Sequence, residues 1–258
     1  MHHLLAYNST LAAVAGLQQV NAIADPVFPR SNGNTEYQIS RNMRIAAAFA
    51  GAAANVRTRI ITPTLQLRGE PQVVPISGTL LPAVDPNFMD ISAAPIGVKT
   101  QESIRIEMES NSATDAFVGL WMFDEDRDDF KVAYRDLRWL RATFSVTTVV
   151  RAWALGGALA FDETLEAGQY AVYGMQAFFA TSLAARIIFP NQVYRPGCLG
   201  QATAVSRSAP LFWGGMGLFG KFDSVGLPQV EVLDTAAATV TYTVWLLCGK
   251  AGEGLVNG

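Results

Sequence analysis

Charge is scarce in this chain. Only 16% of its 258 residues are Asp, Glu, Lys or Arg, against a usual quarter. The formal net charge is −3, with no basic tail, which excludes an electrostatically driven nucleic-acid binder and predicts no sequence-specific nucleic-acid partner. Histidine is scarcer still, with only His2 and His3 at the extreme N-terminus. A Ser-His-Asp or Cys-His centre needs a histidine held in a folded cleft, and the body of the chain carries none. Histidine-rich zinc sites fail for the same reason. The two cysteines, Cys198 and Cys248, are 50 residues apart with no CxxC. That spacing indicates neither a metal cluster nor a disulfide scaffold, but two reduced, partly buried thiols.

Long hydrophobic runs are also missing. Ile45–Ala54, Ala171–Ala185 and Ala209–Gly220 are short, diluted by alanine or glycine, or interrupted by Gln176, Thr181 and Ser182. They fall below the roughly 18 apolar residues that a membrane span needs. Leu11–Ala24 ends in Ala22-Ile23-Ala24, like a signal-peptidase site, but no Lys or Arg precedes it and Gln18 and Gln19 cut its apolar core. Leu11, Val14, Leu17 and Val20 recur about every three residues and predict a short amphipathic helix, stopping before Pro26.

What the chain does have is apolar residues, 50% of the total, with 22 glycines and 12 prolines throughout. This composition excludes disorder and a coiled coil. Low charge in so long a chain implies that other protein covers much of its surface. Period-two alternation is clear in Ile104, Ile106 and Met108 against Arg105, Glu107 and Glu109, and in Val240, Tyr242 and Val244 among threonines. Further strands are predicted at Val56–Thr62, Phe117–Phe123, Thr143–Trp153, Tyr170–Phe179, Leu183–Phe189 and Gly217–Phe222. Val73–Lys99 reads as extended loop, and Arg127–Arg141 as a short helix. The fold class is all-β with minor helix.

An internal echo carries the most information. Arg59-Ile60-Ile61-Thr62-Pro63 recurs as Arg186-Ile187-Ile188-Phe189-Pro190, and Ile106-Glu107-Met108 as Val230-Glu231-Val232. The Arg-to-Glu spacing is 48 residues in the first half and 45 in the second; from Glu107 to Trp121 and from Glu231 to Trp245 it is 14 in both. A period near 125 residues is the size of a domain, far above the roughly 20–50 of a solenoid or propeller blade. The reading is an N-terminal helical segment, 1–27, and two tandem β-sandwiches, 28–129 and 130–258, joined near Asp124–Arg141.

Two sandwiches of this size resemble the double jelly-roll major capsid proteins of tailless icosahedral bacterial viruses. The stretches Glu166–Met175, Ala184–Pro190 and Arg195–Cys198 are similar to a pattern in structural proteins of environmental phages. The resemblance implies a jelly roll in each half and a homotrimer of pseudo-hexagonal outline, assembled in the host cytoplasm into the shell of a virion. It also implies contacts with neighbouring capsomers and other virion proteins, and an N-terminal segment turned toward an internal membrane or neighbouring subunits. It implies no catalytic residue and no cofactor, so the protein is expected not to be an enzyme. The alternative is a tandem β-sandwich that binds glycans or attaches a virus to its host, with Trp213 and Phe212 as a stacking platform.

Three motifs suggest chemistry. Gly215–Lys221 satisfies G-x-x-x-x-G-K, but Phe222 stands where a phosphate-binding loop needs Ser or Thr. Asp124–Asp129 packs five carboxylates into six residues, and Asp124, Asp126 and Asp128 are the candidate ligands of a calcium loop. Asp129 replaces the glycine of an EF-hand and Arg135 its last glutamate, which favours a solvated acidic connector. Glu107 and Glu231 hold equivalent places in the two halves and read as outward-facing strand carboxylates, with Trp121 and Trp245 as core anchors.

Overall fold

The computed structural model describes residues 2–53, 55–69, 72–74, 76–77, 88–124, 137–201 and 218–250. The chain divides into two compact units, His3–Glu125 and Asp126–Gly258 with Met1–His2. Both are built from strands.

The strands up to Glu125 are β1 (His2–Leu11), β2 (Val14–Val20), β3 (Arg30–Ser31), β4 (Glu36–Gln38), β5 (Met43–Ala52) and β6 (Asn55–Ile61). A one-turn helix, α1 (Pro63–Leu67), precedes β7 (Gln72–Val74), β8 (Ile76–Ser77), β9 (Phe88–Asp90), β10 (Ile96–Val98), β11 (Ser103–Ser110) and β12 (Thr114–Asp124). The second unit has β13 (Arg138–Thr147), β14 (Ala154–Leu155), β15 (Ala160–Phe161), β16 (Gln169–Phe178) and β17 (Ser182–Ile188). It ends with β18 (Gly197–Gln201), β19 (Gly220–Asp223), β20 (Gln229–Asp234) and β21 (Thr239–Lys250).

Strand order repeats between the units. In the first, one sheet runs β1-β12-β5-β10, and the other sets β2 beside β11, followed by β6 and β7. In the second, β13-β21-β16 continues to β19, and β14-β20-β17 continues to β18. Strand β18 pairs antiparallel with β17 and parallel with β16, joining the two sheets along one side. In the first unit two strands share this joining role, β7 pairing antiparallel with β6 and β8 parallel with β5. Part of Val73–Lys99, expected as loop without a counterpart, is therefore ladder matching β18. Strands β9 and β10 lie in the same stretch, both antiparallel to β5.

The alternation of β11 produces the first core. Ile104, Ile106 and Met108 are fully buried, while Arg105, Glu107 and Glu109 face the other way. Tyr7 on β1 donates its hydroxyl to the Ile104 carbonyl at 2.9 Å, a buried bond from one sheet to the other. In the second unit Leu140, Ala142 and Phe144 of β13 and Tyr242, Val244 and Leu246 of β21 are buried. Phe144 stacks on Tyr242 at 5.6 Å.

The N-terminal segment departs from expectation. Where the three-residue recurrence predicts a helix, the chain forms β1 and β2, and the segment contributes strands to the sheets. Gly16 has φ 136°, outside any helix, and pairing with β11 supplies the hydrogen bonds a helix would have made internally. The predicted strand Thr143–Trp153 instead begins at Arg138 and stops at Thr147. Of the helix expected at Arg127–Arg141, Arg138–Arg141 are strand, and 127–136 lie outside the described residues.

Candidate functional site: the arginine–glutamate pair of each unit

The two halves of the echo meet across neighbouring strands. In the first unit Arg59 lies opposite Glu107 and Ile60 opposite Ile106. In the second Arg186 lies opposite Glu231 and Ile187 opposite Val230. The next strands match too: Val73 faces Arg59 as Gly197 faces Arg186, and Gln19 faces Glu107 as Leu155 faces Glu231. One arginine and one glutamate thus occupy the same register position, on the sheet face turned away from the core, in both units.

Their surroundings differ. The first-unit face is a partly hydrated charge grid. Arg57 Nε meets Glu109 Oε2 at 2.8 Å, and Arg105 lies 3.3 Å from Glu107 and 3.7 Å from Glu36. In the second unit Arg186 is fully buried and Glu231 is 8% exposed. Arg186 Nε donates to Glu231 Oε2 at 2.7 Å, and Arg195 donates to the other carboxylate oxygen. The Arg186 guanidinium lies 4.1 Å from the centre of the Trp153 ring. Burial makes such a network costly unless every member is satisfied. Gly197 leaves room for it, since a side chain there would start 2.8 Å from Arg186 Cβ and 2.2 Å from the Ala185 carbonyl.

Glu107 and Glu231 belong to different units and to separate ion-pair networks. Glu231 is held across strands by Arg186 and by Arg195, whereas the arginine beside Glu107 is Arg105 of its own strand. Trp121 is buried, as expected of a core anchor. Trp245 is not: it is half-buried on the outer face of β21, among Thr243 and Leu247, while Val244 and Leu246 point inward.

Other predicted positions fall as follows. Asp124 ends β12 and accepts from Arg41 Nη1 at 3.2 Å, whereas Asp126 and Asp128 lie outside the described residues. Among the described residues no three His, Cys, Asp or Glu are grouped to hold a metal. Of the glycine-rich motif, Gly220 and Lys221 are in β19, the strand reading, and Gly215–Gly217 lie outside the described residues. Trp213 and Phe212 lie outside them too. Cys198 and Cys248 are buried free thiols, each pushed up to about 12 by burial.

Histidine is where sequence reasoning missed a feature. His3 Nε2 and Asp25 Oδ2 are 3.0 Å apart, both side chains fully buried. Asp25 Oδ1 accepts from the Val27 and Phe28 amides, and the His3 ring stands edge-on to Phe28 at 5.1 Å. The pair ties β1 to the turn before β3. Proximity to the terminus concealed it, and Asp25-Pro26, a turn-forming dipeptide, was the available signal.

Comparison with models of known families, with curated proteins and with solved structures finds no match.

Proposed function

We propose that this chain is a viral structural protein, the major capsid subunit of a tailless icosahedral phage, built as two jelly rolls in tandem. The repeated strand order carries this reading. Four strands of one sheet and four of the other recur in the same order in both units, which supports an eight-stranded jelly roll, two Greek keys wound together, in each. Tandem repetition gives one chain two equivalent building blocks, and three such chains form a ring of six. Low charge supports the reading, because obligate interfaces are more apolar than transient ones. The reading assigns no catalytic or cofactor role, and places the protein in the virion.

On the same reading the N-terminal segment turns toward neighbouring subunits or an internal membrane; its strand β1 is buried along nearly its whole length, and its strand β2 is partly exposed.

Electron microscopy and analytical ultracentrifugation of the purified protein test the proposal. Trimers of pseudo-sixfold outline, or closed shells, are the expected result. A monodisperse monomer at high concentration overturns it.

A further inference from the structure

The first unit holds a cleft of about 480 Å³ between the one-turn helix α1 and strand β10, within the size range of small-molecule sites. The fold sets its walls. Thr62 caps α1, its hydroxyl accepting from the Leu65 amide at 3.2 Å, which buries Leu65 and leaves Arg68 exposed at the end of the helix. Strand β10 lies antiparallel to β5 with Val98 opposite Met43, and exposed Lys99 follows it. Met43, Leu65 and Val98 are buried and Ile96 is half-buried, so the lining between the two cations is apolar. The Glu102 carboxylate ties the walls together. One oxygen accepts from the Thr64 amide at 3.0 Å and from the Thr64 hydroxyl, the other from the Lys99 amide at 3.0 Å.

Charge singles this cleft out. Among the described arginines and lysines, only Arg59, Arg68 and Lys99 have side chains with neither an ion pair nor a hydrogen bond, and two of the three line this one cleft. Among the described residues no Asp or Glu lines it, in a chain whose net charge is −3. Glu102, at its end, spends both oxygens on amides and a hydroxyl rather than on the cations. Two cations against that one carboxylate leave a single positive charge, which a monoanion neutralises. We propose that the cleft binds a small amphipathic carboxylate, an apolar chain of medium-chain fatty-acid type. Its head group lies between Arg68 and Lys99, where the arginine fork matches a carboxylate, and its chain lies along Leu65, Ile96 and Val98. The cleft belongs to one unit alone, so this site stands apart from the capsid-subunit reading and goes beyond it.

Calorimetric titration of the full chain with decanoate, and with decanol as the uncharged chain of the same length, tests the site. Decanoate should saturate a single site per chain, and decanol should bind more weakly. Arg68→Gln and Lys99→Gln should each weaken decanoate binding about tenfold. Both should keep the wild-type far-ultraviolet circular dichroism spectrum, because these exposed side chains make no bond that the fold would lose. Lys250→Gln, in the second unit, should bind decanoate as the wild type does. Absence of saturable decanoate binding by the wild type overturns the proposal. Decanol binding as tightly as decanoate overturns it too, as does wild-type affinity in either cation variant. None of these outcomes bears on the subunit reading, which sedimentation and microscopy test separately.

Discussion

Arg186 and Glu231 face each other across β17 and β20 in the register that sets Arg59 opposite Glu107 across β6 and β11. The same pair is sealed beneath Trp153 and Arg195 in one unit and partly open to water in the other. Geometry repeats between the units; dielectric surroundings do not.

Removing the glutamate should therefore have unequal consequences. Glu231→Gln leaves Arg186 and Arg195 without their shared carboxylate in a buried site, and should destabilise the second unit by about 3–5 kcal/mol. Glu107→Gln, on the hydrated grid, should cost less than about 1 kcal/mol. Urea unfolding curves of the two variants beside the wild type check this; equal midpoints would refute the distinction.

Alkaline stability follows from the buried thiols. Cys198 and Cys248 keep their protons in the folded state up to about pH 12, against 9.0 for an ordinary thiol. Burial also raises the Tyr242 hydroxyl, which donates to Asp234 Oδ2 at 2.8 Å. The stabilisation is fully present below pH 9 and is lost as pH climbs toward 12, because only the unfolded chain gives up these protons. The slope is up to about 1.4 kcal/mol per group per pH unit. Thermal unfolding from pH 8 to 11 measures it. In native protein at pH 8 both thiols should resist a disulfide reagent, and both should react after denaturation.

Gly197 and Gly97 offer a matched pair of substitutions. At Gly197 an added methyl meets the Ala185 carbonyl at 2.2 Å, whereas at Gly97 nothing lies within 4 Å. Gly197→Ala should cost about 1–3 kcal/mol or more through overpacking between β17 and β18. Gly97→Ala should stay within about 0.5 kcal/mol. Denaturant midpoints of both variants decide the matter.

Asp25→Ala removes the buried bond to His3 together with the two amide bonds that shape the turn. A loss of about 1–3 kcal/mol is expected from the unsatisfied groups. Amide exchange should locate it, with protection falling along Leu4–Tyr7 before it falls in β21. Uniform loss across both units would argue against a local clasp.

Legibility depended on which faces a strand buries. Strands β11, β13 and β21 bury one face, so their alternation shows in the sequence, though the start of β13 was obscured by charged Arg138 and Arg141. Strand β5, Met43–Ala52, is buried on both faces. Such a strand reads as a continuous apolar run with no period, and its alanines have weak strand preference, so only the uncharged apolar run from Ile45 onward was legible. The N-terminal recurrence misled because valine and leucine at three-residue spacing suit either structure locally. Pairing with β11 decided it.

The sequence by itself determined the class of fold and the two equivalent arginine–glutamate positions. These rest on local pattern and on order along the chain, which survive without tertiary contact. Only the tertiary structure decided which copy of the pair is buried, that His3 meets Asp25, and that an uncharged N-terminal run becomes strand β2. Burial and pairing are set by segments distant in sequence, Trp153 over Arg186, Arg195 on Glu231 and β11 beside β2. No window of neighbouring residues contains that information.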